Sequence, residues 1–405
     1  MAEQAIAGMD LPARIRPGAR AAVSALFLAN GLVAGFWSVF VPAVQGNLGI
    51  EESLMGILIL VGASAGFVGL MLSGLLVARL GSRPVAVAAG LLMAPALLIM
   101  AQMESFAPAV AAFVLMFVSI SVMDVAMNAN GADVEHALGK AVMSSFHGFW
   151  SMGGMLGAAT GGYILATLGQ NGFGVVAFVL VSILVVASAA FLAPKRVYAP
   201  EPIKEGRRRF RLPGSLPVYV FGLLAFAAFT AEGSVIDWSA IYLRDELSAD
   251  VALSGFAFAG FSFAMMVSRF SGDVLRQRIG AVRLLQVSAL LAIVGFALSA
   301  SAASLPVVVG GFLLAGLGCA NIVPVVFSAA AKVPGVNPGT GIAIATMFGY
   351  FGLLCAPALL GSVGEIWGFS PVYLGFSFVM IVVAIVAGLS SHWLADTNES
   401  PPVHN

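Results

Sequence analysis

Asp124 is the one charged residue in a long apolar stretch. No other Asp, Glu, Lys or Arg lies between Ser105 and Ala132. A carboxylate at the centre of a membrane helix costs about 2.5–3.5 kcal/mol to insert. A chain that keeps one there uses it to carry a proton or to hold a polar solute. Asn128 follows four residues later and shares its helical face. His147 opens the next apolar run, at a depth expected to match. This spacing predicts an Asp124–His147 hydrogen bond, with one or both groups titrating as access to the site changes sides. A static polar pair bracing two helices is the plainer alternative.

Further polar residues punctuate the other runs. Glu232, Asp237 and Trp238 lie in one of them. Five residues set Glu232 and Asp237 about 140° apart on a helix, so they need not act together. Glu232 is expected in the outer half of its span as a ligand for solute or proton, or as an outer gate partner. Asp237 is expected nearer the outer surface as a gate residue, with Trp238 and Tyr242 in the interfacial aromatic belt. Asn30 and Trp37, seven apart, share a face. They could hydrogen-bond and stack a sugar ring, or simply pack. Asn321, close before Pro324, suggests a broken helix with a freed carbonyl facing a cavity. Arg269 and Asp273, four apart and placed near the cytoplasmic end, suit a gating pair.

The elements that position these residues are membrane helices. The chain has 405 residues, 60% hydrophobic and 9% charged, whereas soluble proteins carry about 25% charged residues. Residues 21–50, 53–78, 84–103, 105–123, 141–194, 212–231, 284–331, 333–364 and 366–395 contain no Asp, Glu, Lys or Arg. A helix needs about 20 apolar residues to cross a bilayer. Runs 141–194 and 284–331 each hold two spans. The reading is an all-α integral membrane protein with spans 19–46, 52–79, 83–103, 106–131, 142–168, 172–194, 215–243, 251–277, 281–303, 305–331, 338–364 and 369–394. The polar start, followed by a full-length apolar run, does not resemble a cleavable signal peptide. Cys319 and Cys355 both fall in apolar spans and offer no disulfide or metal framework.

Basic loop residues set the orientation. With the N-terminus inside, Arg14, Arg16, Arg20, Arg79, Arg83, Lys140, Arg276, Arg278, Arg283 and Lys332 all face the cytoplasm, as does the basic 194–214 loop. Only Arg244 faces out. Both termini are therefore expected in the cytoplasm. The domain reading is a tail (1–18), a six-helix bundle (19–193), a lipid-facing basic linker (194–214), a second bundle (215–395) and a tail (396–405). Arginine far outnumbers lysine and Ala and Gly abound, which points to a GC-rich bacterial source and hence the inner membrane.

Internal repeats support two halves. Gly74-Leu-Leu-Val-Ala-Arg-Leu-Gly-Ser-Arg83 after span two matches Gly272-Asp-Val-Leu-Arg-Gln-Arg-Ile-Gly-Ala-Val-Arg283 after span eight. Phe146-His-Gly-Phe-Trp150 mirrors Met347-Phe-Gly-Tyr-Phe351, which makes Phe348 the counterpart of His147. Parallel halves around a midplane site are the architecture of alternating-access transporters.

These features resemble the major facilitator superfamily (MFS) over essentially the whole chain. Gly74–Arg83 resembles its loop signature Gly-x-x-x-Asp-Arg-x-Gly-Arg-Arg/Lys, with Ala78 at the Asp position. The resemblance implies gating roles for Arg79 and Arg83, with Arg269, Asp273 and Arg276 partly replacing the missing Asp. Gly153-Gly-Met-Leu-Gly-Ala-Ala-Thr-Gly-Gly162 resembles the antiporter signature Gly-x-x-x-Gly-Pro-x-x-Gly-Gly. Ala158 stands at its Pro position, and the run fits small-residue helix packing equally well. Asp124-Val-Ala-Met-Asn128 and Asn321-Ile-Val-Pro324 resemble elements of the fucose/proton symporter group. Asp124-Val-Ala-Met-Asn-Ala, Met143-Ser-Ser-Phe-His-Gly148 and Ala231-Glu-Gly-Ser-Val-Ile-Asp-Trp238 are closest to the bacterial YbjJ-like branch.

The resemblance implies two pseudo-symmetric six-helix bundles and a proton-coupled symporter of a small polar solute such as a sugar. Proton-driven export of drugs or metabolites is the alternative. Proton coupling falls to Asp124, His147 and Glu232. Solute binding falls to Asn30, Trp37, Asn128, Glu232 and Asn321, and gating to the arginines and aspartates above. The expected partners are the solute, protons and membrane lipid, with the protein a monomer. No cofactor, metal or nucleic acid is expected. His-Glu-x-x-His is absent, so an intramembrane protease is disfavoured. The missing Gly-x-x-x-x-Gly-Lys-Ser/Thr loop disfavours an ATP-driven pump.

Overall fold

The computed structural model describes residues 16–140, 142–193 and 214–390, apart from the side chain of Asp273. The 194–214 linker and both tails therefore lie largely outside the described residues. Eleven described helices are long and apolar enough to cross a membrane. One of them, Met143–Ala189, has 47 residues. At 1.5 Å per residue it would measure about 70 Å, more than twice a bilayer core of about 30 Å. It breaks at Gly169 (φ 67°, ψ −178°), so it comprises spans five and six. The total is twelve.

Spans one, two and four are Ala19–Leu48, Glu52–Leu80 and Phe106–Leu138. Span three runs from Ser82 to Met100, interrupted before Pro95. Spans seven, eight and nine are Leu216–Leu247, Phe256–Ile279 and Ala281–Ser299. Span ten is Leu305–Cys319 continued by Ile322–Ala330, and spans eleven and twelve are Pro338–Trp367 and Phe369–Leu389. Exposed Leu, Val, Ile and Phe cover the outer faces, as expected of surfaces solvated by lipid.

The twofold repeat is written into the backbone. Gly81 (φ 94°, ψ 156°) joins spans two and three, and Gly280 (φ 80°, ψ 161°) joins spans eight and nine. Gly169 has its match in Gly368 (φ 79°, ψ 174°) between spans eleven and twelve. Side chains rarely adopt these angles. Both pairs are 199 residues apart, which fixes the register of the repeat. The predicted Phe146–Met347 alignment is offset by 201 and slips by two. In the true register Thr346 answers His147. Phe348 instead packs beside Gly222 and Tyr219.

Spans one and five pack backbone to backbone. A Cβ on Gly31 would sit 2.0 Å from the Trp150 carbonyl oxygen, and one on Gly153 would sit 2.3 Å from that of Leu28. The Gly153–Gly162 run therefore brings helices together. Its far end continues across the halves, with Gly162 against the carbonyls of Val251 and Ala252.

Candidate functional site

A cavity of about 760 Å³ lies between the two halves. Its wall includes Asn30, Trp37, Asp124, Asn128, His147, Glu232, Asp237, Arg269, Arg276 and Asn321. Of the predicted residues, only Arg79 and Arg83 fall outside it, with Asp273 undescribed at its side chain. Ten of the thirteen predicted residues therefore share one cavity, while several of the contacts between them differ from those expected.

The cavity is closed at the end remote from the linker. Trp37 Nε1 donates to Asp237 Oδ1 at 2.9 Å, joining span one to span seven. Beyond it, Arg244 Nη2 donates to Gln45 Oε1 at 2.9 Å, and Gln45 Nε2 donates to Glu52 Oε1 at 3.0 Å. The Glu365 carboxylate accepts the Ser53 backbone N–H at 2.9 Å, so span eleven of one half caps span two of the other. Towards the linker end the cavity reaches Arg276 and the exposed Ser144. There the halves meet where Phe270 covers Gly148 and Phe149.

Asp124 lies eighteen residues from Phe106 and fourteen from Leu138, midway along its helix. Span four continues past the predicted boundary because Glu135 accepts the backbone N–H groups of Val142 and Met143, fastening the turn into span five. Asn128 Nδ2 donates to Asp124 Oδ1 at 3.1 Å and to the Asp124 carbonyl at 2.9 Å. The predicted Asp124–His147 hydrogen bond does not form. Span one separates the two helices. Its Asn30 donates to the Ile120 carbonyl of span four at 3.5 Å and accepts from Trp150 Nε1 of span five at 2.9 Å. His147 packs edge-on against Phe27 of span one, centroid to centroid 5.2 Å.

Arg269 lies mid-helix, thirteen residues after Phe256, and not near the cytoplasmic end. It bridges the halves. Nη2 pairs with Glu232 Oε1 at 3.4 Å, Nη1 donates to Ser151 Oγ at 2.7 Å, and the guanidinium lies 5.7 Å above the Trp150 ring. Glu232 is midway along span seven rather than in its outer half. Arg269 thus pairs with Glu232, while the side chain of its predicted gating partner, Asp273, lies outside the described residues. Arg276 donates to Ser328 Oγ at 3.1 Å within its own half. Arg79 is exposed, and neither it nor Arg83 bonds across the halves among the described residues.

Three further expectations are corrected or refined. Trp238 and Tyr242 are fully buried, not interfacial. Trp238 stacks on Phe369, and Tyr242 donates to the Ser299 carbonyl. Trp37 is 3% exposed, with its N–H committed to Asp237. It floors the cavity, with Phe113 and Phe117 packed edge-on to its ring. Span ten does break, at Ala320 and Asn321, and Asn321 Nδ2 donates to Ser268 Oγ at 2.8 Å. Pro324 lacks the N–H that would bond the Ala320 carbonyl, and Ala320 lines the cavity.

Sequence reasoning missed Ser151, Thr346 and Tyr350. Thr346 and Tyr350 line the cavity from span eleven, four residues apart on one face, and Tyr350 stacks on Phe229 at 5.9 Å. The repeat, read in its correct register, was the signal that pointed to Thr346.

The sequence model of the Major Facilitator Superfamily matches residues 23–242 and 220–404. The chain belongs to this superfamily. As a superfamily member it is 30% identical over 376 residues to an uncharacterized MFS-type transporter of Yersinia pestis, covering 92% of this chain and 96% of that one. It is 33% identical to the uncharacterized transporter y4wD of Sinorhizobium fredii, covering 91% and 96%. Among solved structures, the D-xylose-proton symporter superposes with a TM-score of 0.73 at 15% identity, covering 91% of this chain and 96% of that one. The nucleoside transporter NupG superposes with a TM-score of 0.68 at 14% identity, covering 92% and 99%. Both likenesses concern the fold. A secondary transporter of the major facilitator type, multi-pass in a membrane, follows.

Proposed function

We propose that this MFS protein is a proton-coupled symporter of a small polar solute, working by alternating access in the bacterial inner membrane. Both termini and the 194–214 linker lie in the cytoplasm, so the structure corresponds to the inward-facing state. The linker tethers the bundles 19–193 and 215–395, and the protein works as a monomer in lipid. Within the superfamily we group it with the YbjJ-like branch, with elements that resemble the fucose/proton symporter group.

One observation carries this reading. Asp124 faces a midplane cavity with only an amide partner, Asn128, and no cation paired to it among the described residues. Charge left uncompensated in low dielectric is costly, so Asp124 binds a proton or a cargo donor before the halves close around it. Glu232, by contrast, is neutralised by Arg269. It serves the cavity's electrostatics more than the proton. The volume of about 760 Å³ falls within the usual range for small-molecule sites, about 300–1,000 Å³.

The test is uptake into proteoliposomes under an imposed pH gradient. Gradient-driven accumulation that survives in Asp124→Asn sinks the coupling role. Solute leaving against its gradient in exchange for protons selects the exporter alternative. That alternative drew on the Gly153–Gly162 run, which helix packing already accounts for.

A further inference from the structure

Most polar groups lining the cavity are already committed to protein partners. Asn30 is held by Trp150 and Ile120, Trp37 by Asp237, Asn321 by Ser268, and Glu232 by Arg269. Subtracting these leaves a set of cavity-lining groups without hydrogen-bond partners among the described residues. It comprises the second oxygen of Asp124, the amide oxygen of Asn128, the Ser121 and Thr346 hydroxyls, the His147 ring nitrogens and the Tyr350 hydroxyl. Asp124 and Asn128 are four apart on span four. Thr346 and Tyr350 are four apart on span eleven. Each pair forms one helical face, and the two faces belong to different halves.

The chemistry of this set is specific. Tyr350 and Thr346 offer O–H donors, Asp124 and Asn128 offer acceptors, and His147 offers one of each when neutral. Both cavity guanidiniums are already engaged, Arg269 with Glu232 and Ser151 and Arg276 with Ser328. An anionic solute would meet the Asp124 carboxylate with no free cation to offset it. A cationic solute would occupy Asp124 and displace the proton.

We propose that the cargo is an uncharged polyhydroxylated solute gripped between Asp124–Asn128 of span four and Thr346–Tyr350 of span eleven. This rests on the proton-symport reading above. A hydroxyl of the solute donates to Asp124 or Asn128 while another accepts from the Tyr350 O–H, so the solute itself cross-links the halves. Tyr350 is the specificity-determining residue, because its rigid ring, braced on Phe229, sets the spacing between donor and acceptors. Bridging both halves also makes the closed state depend on a solute of the right length.

The experiment uses the full chain in lipid nanodiscs. D-xylose, D-glucose and myo-inositol are the neutral probes, with glucosamine and glucuronate as charged ones. At least one neutral probe is expected to raise the Tm. Its Kd is expected to weaken about tenfold in Tyr350→Phe and in Thr346→Val, the size of one lost hydrogen bond. Phe348→Leu, at a side chain outside the cavity wall, is expected to leave Kd unchanged. Binding of the charged probes alone, binding of no probe, or neutral binding indifferent to both span-eleven variants overturns the proposal. Spin-label distances across the two ends of the cargo-free protein are read in parallel. If they still report two states, only the cargo inference has failed. A single immobile state would sink the alternating-access reading instead.

Discussion

The indole N–H of Trp37 in one half donates to the carboxylate of Asp237 in the other, at 2.9 Å, with both residues buried. This bond floors the cavity and must break for the far end to open. Trp37→Phe keeps the ring and removes the donor, leaving a buried carboxylate unsatisfied. The expected loss is about 1.5–3 kcal/mol of the far-closed state, a shift of roughly tenfold or more in its population. Asp237→Asn keeps an acceptor and should shift it less. Spin labels at Glu51 and Asp250, both exposed, would read the change as a growing fraction of long distances.

Glu365 offers an internal comparison. Its bond to the Ser53 N–H also crosses the halves, but in full contact with the surroundings. Solvent screens such contacts. Glu365→Gln should therefore move the same distance distribution much less than Trp37→Phe. An equal or larger effect would show that the rim, not the floor, holds this end shut.

Arg269 joins Glu232, Ser151 and Trp150 at the centre of the cavity. The pair is largely shielded, with 18% and 12% of the two side chains exposed. Removing either partner leaves the other charge unpaired at a cost of about 1–3 kcal/mol, discounted from a fully buried pair because the cavity reaches solvent. Arg269→Ala and Glu232→Ala should each lower the Tm, while the double variant loses less than the sum of the two. Strict additivity in this cycle would mean the pair is not coupled.

Gly31 is held against the Trp150 carbonyl, where a methyl group has no room. Gly31→Ala must push spans one and five apart and with them the Asn30–Trp150 bond, costing about 1–3 kcal/mol by overpacking. Gly46→Ala lies in the same helix with no atom within 4 Å of the added carbon, and should be neutral or gain up to about 1 kcal/mol. Thermal melts of the two variants separate crowding from helix propensity.

Gly81 and Gly280 make equivalent turns in the two halves. Alanine at either is strained by about 1–3 kcal/mol, so Gly81→Ala and Gly280→Ala should lower the Tm by similar amounts. A large difference between them would break the equivalence of the halves.

The apolar runs, the basic loops and the Gly-Arg turns determined twelve helices in two repeated halves. These are properties of composition and spacing, which act locally on each segment as it meets lipid. They also pointed to most of the polar side chains in the cavity wall, because a polar side chain in an apolar run needs a polar place to face. What they left open was pairing. Asp124 and His147 are close in sequence depth, yet span one lies between them and Asn30 takes the intervening bonds. Arg269 and Asp273 share a helix face, yet the guanidinium reaches Glu232 on another span. Trp37 looked available for stacking until Asp237, two hundred residues away, claimed its N–H. Partners of this kind depend on which helices the glycines allow to touch and on how far each helix is rotated. Those quantities exist only once the helices are packed, so only the tertiary structure decided them.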